Sequence, residues 1–311
     1  MMDSFKSWLP PAFNTQSLGT ALSDCWEGTN PVTGKRKQSG KLNGLSVTAG
    51  SRGIIIEGSL PTYLLGNNLR PLSRQEVKDA IEKMSGELHL PVEKAHVWRV
   101  DMCANFSMQL PVIDYTSALL DLSSYQRDTW ANQETVQFRT RKILLCFYNK
   151  LQKMMVDKIP IPENLNGANL LRYEARFRSR LGEQFERKGG IFGEDLYKES
   201  FVRKAVKKWE KGYTSILKMR RVVSPCTKGT KGYRQSLEYY GLKARGGLDA
   251  ELERISCDRR QGKIDPDTAK RRRQLIRNIA KTNPDIEASA HDCIAELDEK
   301  VRQAAIQYMD S

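Results

Sequence analysis

The chain has 311 residues, 39% of them apolar, enough to bury a core in one large domain or two unequal ones. Its 51 Lys and Arg against 37 Asp and Glu give a formal charge of +14, which points to a polyanionic partner, nucleic acid first. The start lacks the basic flank and apolar run of a secretion signal, and no later stretch stays apolar long enough to span a bilayer, so a cytoplasmic protein without membrane contact is expected.

In chain order, the first element is a hairpin over 40–58, two β-prone stretches around Ala49-Gly50-Ser51-Arg52-Gly53. A helix follows over 73–88, with Ser73 as cap, Glu76 three residues on, and Val77, Ala80, Ile81 and Met84 at helical spacing. The spacing then predicts a strand over 95–108, a helix over 113–122, a polar stretch with Arg127, Trp130 and Gln133, paired strands over 135–150 and a strand over 170–178. This order predicts an α+β fold, with a largely antiparallel sheet, helices packed on one face, and a smaller, mostly helical C-terminal region.

After Gly189-Gly190 the character turns helical, with Phe201, Val202, Ala205, Trp209 and Ile216 on one face of 194–219. A charged helical tract over 265–281 holds Lys270-Arg271-Arg272-Arg273, and an amphipathic helix closes the chain near 286–309. The division expected is a catalytic domain over 1–188 and a basic helical region over 189–311 with DNA binding as a possible role. The arginine run reads first as a solvated helix face.

The chemistry concentrates on three strands. In Val97-Trp98-Arg99-Val100-Asp101-Met102-Cys103-Ala104, alternation turns Trp98, Val100, Met102 and Ala104 toward a core and leaves Arg99 and Asp101 on the other face. In 170–178, Leu171, Tyr173, Ala175 and Phe177 form the apolar set, and Arg172, Glu174, Arg176 and Arg178 share the opposite side. Leu144, Cys146, Tyr148 and Lys150 share one face of the third strand. If the three are neighbours, two acids, a tyrosine and a lysine converge on one surface. Two readings of the acids stand side by side: cross-strand ion pairs on a solvated face, or a metal site.

The segments His96 to Phe106, Phe147-Tyr148-Asn149-Lys150 and Leu170 to Phe177 resemble, in order, three blocks of the filamentous-phage gene II/X type rolling-circle replication initiators, a family related to rolling-circle plasmid initiators. The resemblance covers roughly 40–250. It implies an enzyme, a metal-dependent strand transferase that nicks one origin strand in a bacterial host cell, with Tyr148 as nucleophile, Lys150 beside it, and Asp101 and Glu174 binding a divalent metal, Mg²⁺ or Mn²⁺. Arg99, Arg172, Arg176 and Arg178 would be the DNA-binding arginines. The partners implied are origin DNA, single-stranded or locally melted, a host helicase and polymerase, and a possible homodimer. The alternatives are a non-enzymatic DNA-binding regulator and a plasmid-mobilisation relaxase.

Several signals carry less. Cys25, Cys103, Cys146, Cys226, Cys257 and Cys293 are scattered without a C-x-x-C pair or a His cluster, so reduced thiols are expected and neither zinc nor disulfides. The P-loop-like run from Gly34 to Leu42 has the wrong spacing and Leu42 in place of Ser or Thr. Its basic residues are expected in a loop before a strand. Trp98 and Trp130 could stack on unpaired bases, but Trp98 is expected in the core.

Overall fold

A computed structural model describes residues 2–11, 18–29, 33–34, 36–130, 134–219, 222–223, 230–281 and 291–310. The strands are β1 (Met2–Leu9), β2 (Ser23–Thr29), β3 (Arg36–Leu42), β4 (Leu45–Gly50), β5 (Gly53–Ser59), β6 (His96–Met108), β7 (Leu119–Asp121), β8 (Gln126–Trp130), β9 (Thr135–Arg139), β10 (Ile143–Asn149) and β11 (Asn169–Arg178). All but β7 join one ten-stranded sheet in the order β2-β3-β4-β5-β1-β6-β11-β10-β9-β8. Every neighbouring pair runs antiparallel, which is the α+β arrangement the sequence pattern predicts.

The helices between them are α1 (Leu18–Ala21), α2 (Leu60–Leu65), α3 (Arg74–Leu88), α4 (Val112–Thr116), α5 (Lys150–Val156), α6 (Leu181–Gln184) and α7 (Glu199–Thr214). At the start of α3, Ser73 accepts from the Glu76 amide while the Glu76 carboxylate accepts from the Ser73 amide, so the expected capping box is formed. α7 buries Phe201, Val202, Ala205, Val206, Trp209 and Tyr213, and it packs on β6 and β11. The Tyr173 hydroxyl donates to the Trp209 carbonyl at 2.8 Å, and Tyr173 stacks on Phe147 with ring centroids 4.3 Å apart. Burying each such ring stabilises the fold by roughly 2 kcal/mol. Gly212 eases this close approach, because a Cβ there would lie 3.1 Å from both Leu145 and the Tyr173 hydroxyl and would press on them. One face of the central strands is thus sealed by aromatic packing, which leaves the other for polar side chains.

Three expectations change in detail. The helix predicted over 113–122 stops at Thr116, and 119–121 forms β7, which pairs with Leu217–Lys218. There, tertiary strand pairing wins over helical spacing in a short apolar run. The basic residues Arg36, Lys37 and Lys41 lie within β3, not in a loop before it. Residues 2–9, in which no element was foreseen, form β1 in the interior of the sheet, between β5 and β6.

The chain divides into two compact units, residues 1–219 with 294–311, and residues 220–293. The turn to helix after Gly189-Gly190 is present, and α7, which follows it, belongs to the first unit. So does most of the C-terminal helix, Cys293–Asp310, whose Glu296 accepts from the Gln109 amide and from the Tyr115 hydroxyl, and whose Asp298 accepts from Tyr213 at 2.6 Å. The expected start of that helix at 286 lies outside the described residues, as do Gln133 and Cys226.

The second unit contains α8 (Thr230–Ala244), α9 (Gly247–Arg260) and α10 (Pro266–Lys281) around Leu242, Ile255, Ala269 and Ile276. Lys270, Arg271 and Arg272 are exposed, while Arg273 reaches Ser256 Oγ at 3.1 Å. Among the described residues no helix is long and apolar enough to cross a membrane.

Candidate active site

The site is built on the register of three adjacent strands. Between β6 and β11, Asp101 faces Arg176, Cys103 faces Glu174 and Asn105 faces Arg172; between β11 and β10, Arg172 faces Tyr148 and Glu174 faces Cys146. Cross-strand partners share a face of a pleated sheet, so these residues lie together on the side away from α7.

The Tyr148 hydroxyl donates to Glu174 Oε1 at 2.7 Å. The same oxygen accepts from Arg172 Nε at 2.6 Å, and Glu174 Oε2 accepts from Arg176 Nη2 at 2.7 Å. Arg176 Nε also lies 3.9 Å from Asp101, which Arg99 grips at both oxygens, at 3.0 and 2.9 Å. Arg99 continues to Glu57 and Glu57 to Lys6, while Arg172 pairs with Asp3 at 2.7 Å. The acids are therefore threaded on guanidinium groups, as the ion-pair reading describes, and Arg176 stands between Asp101 and Glu174. Six cations, Lys6, Arg99, Lys150, Arg172, Arg176 and Arg178, meet four carboxylates, Asp3, Glu57, Asp101 and Glu174, so the cluster is net positive.

Burial sets the protonation states. It pushes the Tyr148 phenol well above its usual value, and the Glu174 charge beside it adds to the effect, so the group is a protonated donor at neutral pH. Burial also raises Glu174, but Arg172 and Arg176 outweigh it and bring the carboxylate down to about 2. At Asp101 the balance reverses: burial wins over Arg99 and lifts the carboxyl to about 6. The Cys103 and Cys146 thiols are pushed up to about 12 by burial and are unreactive packing residues.

Lys150 departs from expectation. β10 ends at Asn149, whose side chain caps α5 by accepting from the Leu151 and Gln152 amides, and Lys150 is the first helical residue. It is buried, and its Nζ donates to Asn68 Oδ1 at 2.6 Å, with no bond to Tyr148. Burial, followed by the Arg172 charge, pulls its pKa down.

Of the four arginines expected at DNA, Arg172 is fully buried and spends its guanidinium on Glu174, Asp3, the Asn68 carbonyl and Asn105. It faces protein on all sides. Arg99, Arg176 and Arg178 keep partial exposure. Trp98 also moves relative to expectation. Lys6 pairs with Arg99 but Ser7 with Val97, so Trp98 is the extra residue of a β-bulge and turns outward. It is 45% exposed.

Four residues that pattern reading missed complete the cluster: Asp3, Glu57, Asn68 and Asn105. The loop before α3 supplies Asn68, and its Leu69 carbonyl accepts from Asn105 at 2.6 Å. Only the alternation Phe5, Ser7, Leu9 against Lys6, Trp8 in β1 was there to be read; nothing local marks Asn68.

With the Cys103 and Cys146 thiols held protonated, the ionised donors a metal ion would find here are carboxylate oxygens, the chemistry of Mg²⁺ or Mn²⁺, which keep several waters and take one or two carboxylates with a substrate phosphate. Asp101 and Glu174 are the two carboxylates that would serve, and Arg176 competes for both. Among the described residues no three His, Cys, Asp or Glu side chains gather as a ready metal cluster.

Residues 37–212 match the family described as the N-terminal part of the phage gene II replication-associated protein. This chain belongs to that family, the phage gene II-type rolling-circle replication initiators. The match runs from β3 to α7 and contains Tyr148, Asp101, Glu174 and Lys150, while Asp3 and Trp8 lie before it. No curated protein matches the chain. Family membership makes it a replication-associated protein, with origin DNA as the partner its positive charge suits.

Proposed function

We propose that the protein initiates rolling-circle replication by nicking one origin strand with Tyr148. The observation that carries this reading is the 2.7 Å hydrogen bond from the Tyr148 hydroxyl to Glu174, on an electropositive face where Arg176, the more exposed of Glu174's two guanidinium partners, can exchange that carboxylate for a phosphate. Tyr148 Oη attacks phosphorus in line with the departing 3′ oxygen. The O–P bond forms as the P–O3′ bond breaks, the phenol proton passes to Glu174, and the 3′ oxygen leaves as a hydroxyl after taking a proton from solvent water, to which Glu174 later returns its own. The product is a 5′-phosphotyrosine, and a later 3′-hydroxyl can reverse the exchange because one phosphodiester replaces another.

A phenol held so far above neutrality is a weak nucleophile until its proton has an acceptor. Glu174 is a poor one while Arg172 and Arg176 hold it at about 2. When a DNA phosphate draws Arg176 away, Glu174 loses one of its two guanidinium partners and becomes more basic. Substrate binding thus switches on the base. A divalent cation held by Asp101 and Glu174 would supply positive charge at the scissile phosphate and the 3′ oxygen, and with it bound the phenol would be activated by that charge rather than by a more basic Glu174. Lys150 acts indirectly, by fixing the Asn68 loop. The free 3′-hydroxyl calls for a polymerase and the exposed strand for a helicase, and these host partners and a second copy of the chain belong to the same proposal.

A second reading, DNA binding without cutting, is favoured by one observation: both acids are already neutralised by guanidinium groups. Labelled single-stranded oligonucleotides tiling the encoding replicon, incubated with Mg²⁺ or Mn²⁺, separate the two. Nicking predicts a denaturation-resistant adduct that Tyr148→Phe loses; binding alone predicts no adduct from either protein.

A further inference from the structure

We infer that Trp98, backed by Trp8, is a stacking platform for one unpaired nucleobase of the bound strand. The nature of the ligand rests on the DNA-nicking reading; the platform itself rests on geometry. The bulge in β6 places Trp98 and Arg99 side by side between the buried Val97 and Val100, so an indole that regular alternation would bury is presented to solvent. Its second face is taken by Trp8, at 5.8 Å between ring centroids and 12° between planes.

Trp8 is itself fixed. Its Nε1 donates to the Arg52 carbonyl at 2.8 Å, and Gly53 lies so close that a Cβ there would come within 2.6 Å of that nitrogen. The pair is therefore a rigid two-ring stack with one face free. Rigid aromatic faces lose little entropy on binding and accept any base, as single-strand recognition by an initiator that must expose its origin requires.

The charge around it suits a phosphate backbone. Arg178, opposite Arg99 in the register, has no carboxylate within ion-pair distance among the described residues. Its Nη2 reaches only the Thr140 carbonyl at 3.3 Å, and its Nε is buried without a partner. A groove of about 260 Å³ opens beside Trp98, walled by His96, Ser179, Arg180 and Gly190. An exposed indole beside a groove, with a guanidinium that makes no salt bridge among the described residues on the strand position opposite the neighbouring Arg99, matches a nucleotide: base on the ring, phosphate on the cation.

The test is binding of single-stranded oligonucleotides carrying one abasic position, scanned along the strand, to the full chain and to Trp98→Ala and Trp98→Phe. Wild type should lose roughly tenfold affinity at one position of the scan, as expected for one base stack. Trp98→Ala should lose the same on intact DNA and show a flat scan, and Trp98→Phe should recover most of the affinity. Tyr148→Phe, which removes the nucleophile of the proposed nicking, should keep the wild-type dip in the scan, so a failure of nicking and a failure of stacking give different results. A flat scan in wild type, unaltered affinity in Trp98→Ala, or an equal loss on fully paired duplex would overturn the inference, the last two pointing to a protein contact and a groove contact instead.

Discussion

Tyr148 and Arg172 share one acceptor: the phenol hydroxyl at 2.7 Å and the guanidinium Nε at 2.6 Å both donate to Oε1 of Glu174. The nucleophile of the proposed reaction is thus tied to the most buried ion pair of the sheet. Replacing Tyr148 by Phe removes one hydrogen bond and leaves the ion pair intact. The expected cost is about 1 kcal/mol in urea unfolding, with DNA affinity within about twofold of wild type and no covalent adduct. Large loss of DNA binding would show that the hydroxyl serves recognition instead.

The two acids should differ in structural weight. Glu174→Gln strands Arg172 in the interior with only Asp3 as a charged partner, and is expected to cost about 3 kcal/mol. Asp101→Asn leaves Arg99 its bond to Glu57 and a partly solvated guanidinium, and is expected to cost about 1 kcal/mol. Equilibrium unfolding of both variants checks the order. Because Asp101→Asn should fold, a normal cleavage rate in that variant would return Asp101 to the ion-pair role.

Arg176 sits where a cation bound by Asp101 and Glu174 would compete with it. Arg176→Ala should therefore bind Mn²⁺ several-fold more tightly in the absence of DNA, measured by electron paramagnetic resonance of the free ion, while binding single strands more weakly. Unchanged Mn²⁺ affinity would detach the metal from these two acids.

Acid should loosen the loop that holds Lys150 and Arg172. The Arg70 side chain, together with the Ser73 cap, lowers the Glu76 carboxylate to about 2. A lowered carboxylate contributes stability that is present above its unfolded value, about 4.5, and is lost as pH falls toward 2. Glu76→Gln keeps the capping bond but does not titrate, so its melting temperature should lie below that of wild type near neutrality and converge with it on acidification. A constant gap would remove Glu76 from the loop's pH response.

Period-2 alternation made most of the site legible. It placed Asp101, Glu174 and Tyr148 on one face because β10, β11 and β6 beyond its bulge are regular, and the capping box with helical spacing identified α3. It failed where regularity breaks. One extra residue at the β6 bulge reversed Trp98, and a capping side chain at Asn149 turned Lys150 from a strand end into a helix start. Asp3 and Asn68 reach the site through pairings distant in sequence, which no local pattern encodes. Arg172 looked like its neighbours Arg176 and Arg178 in the strand, but its place beneath the Asn68 loop took it out of solvent.

The most direct test of the account is the mass of the peptide that carries DNA. After reaction with the origin strand, nuclease trimming and trypsin digestion, the nucleotide should be found on residues 143–150, a peptide whose one tyrosine is Tyr148. A nucleotide on any other tyrosine, or an intact 143–150 peptide in protein that has formed the adduct, would contradict it.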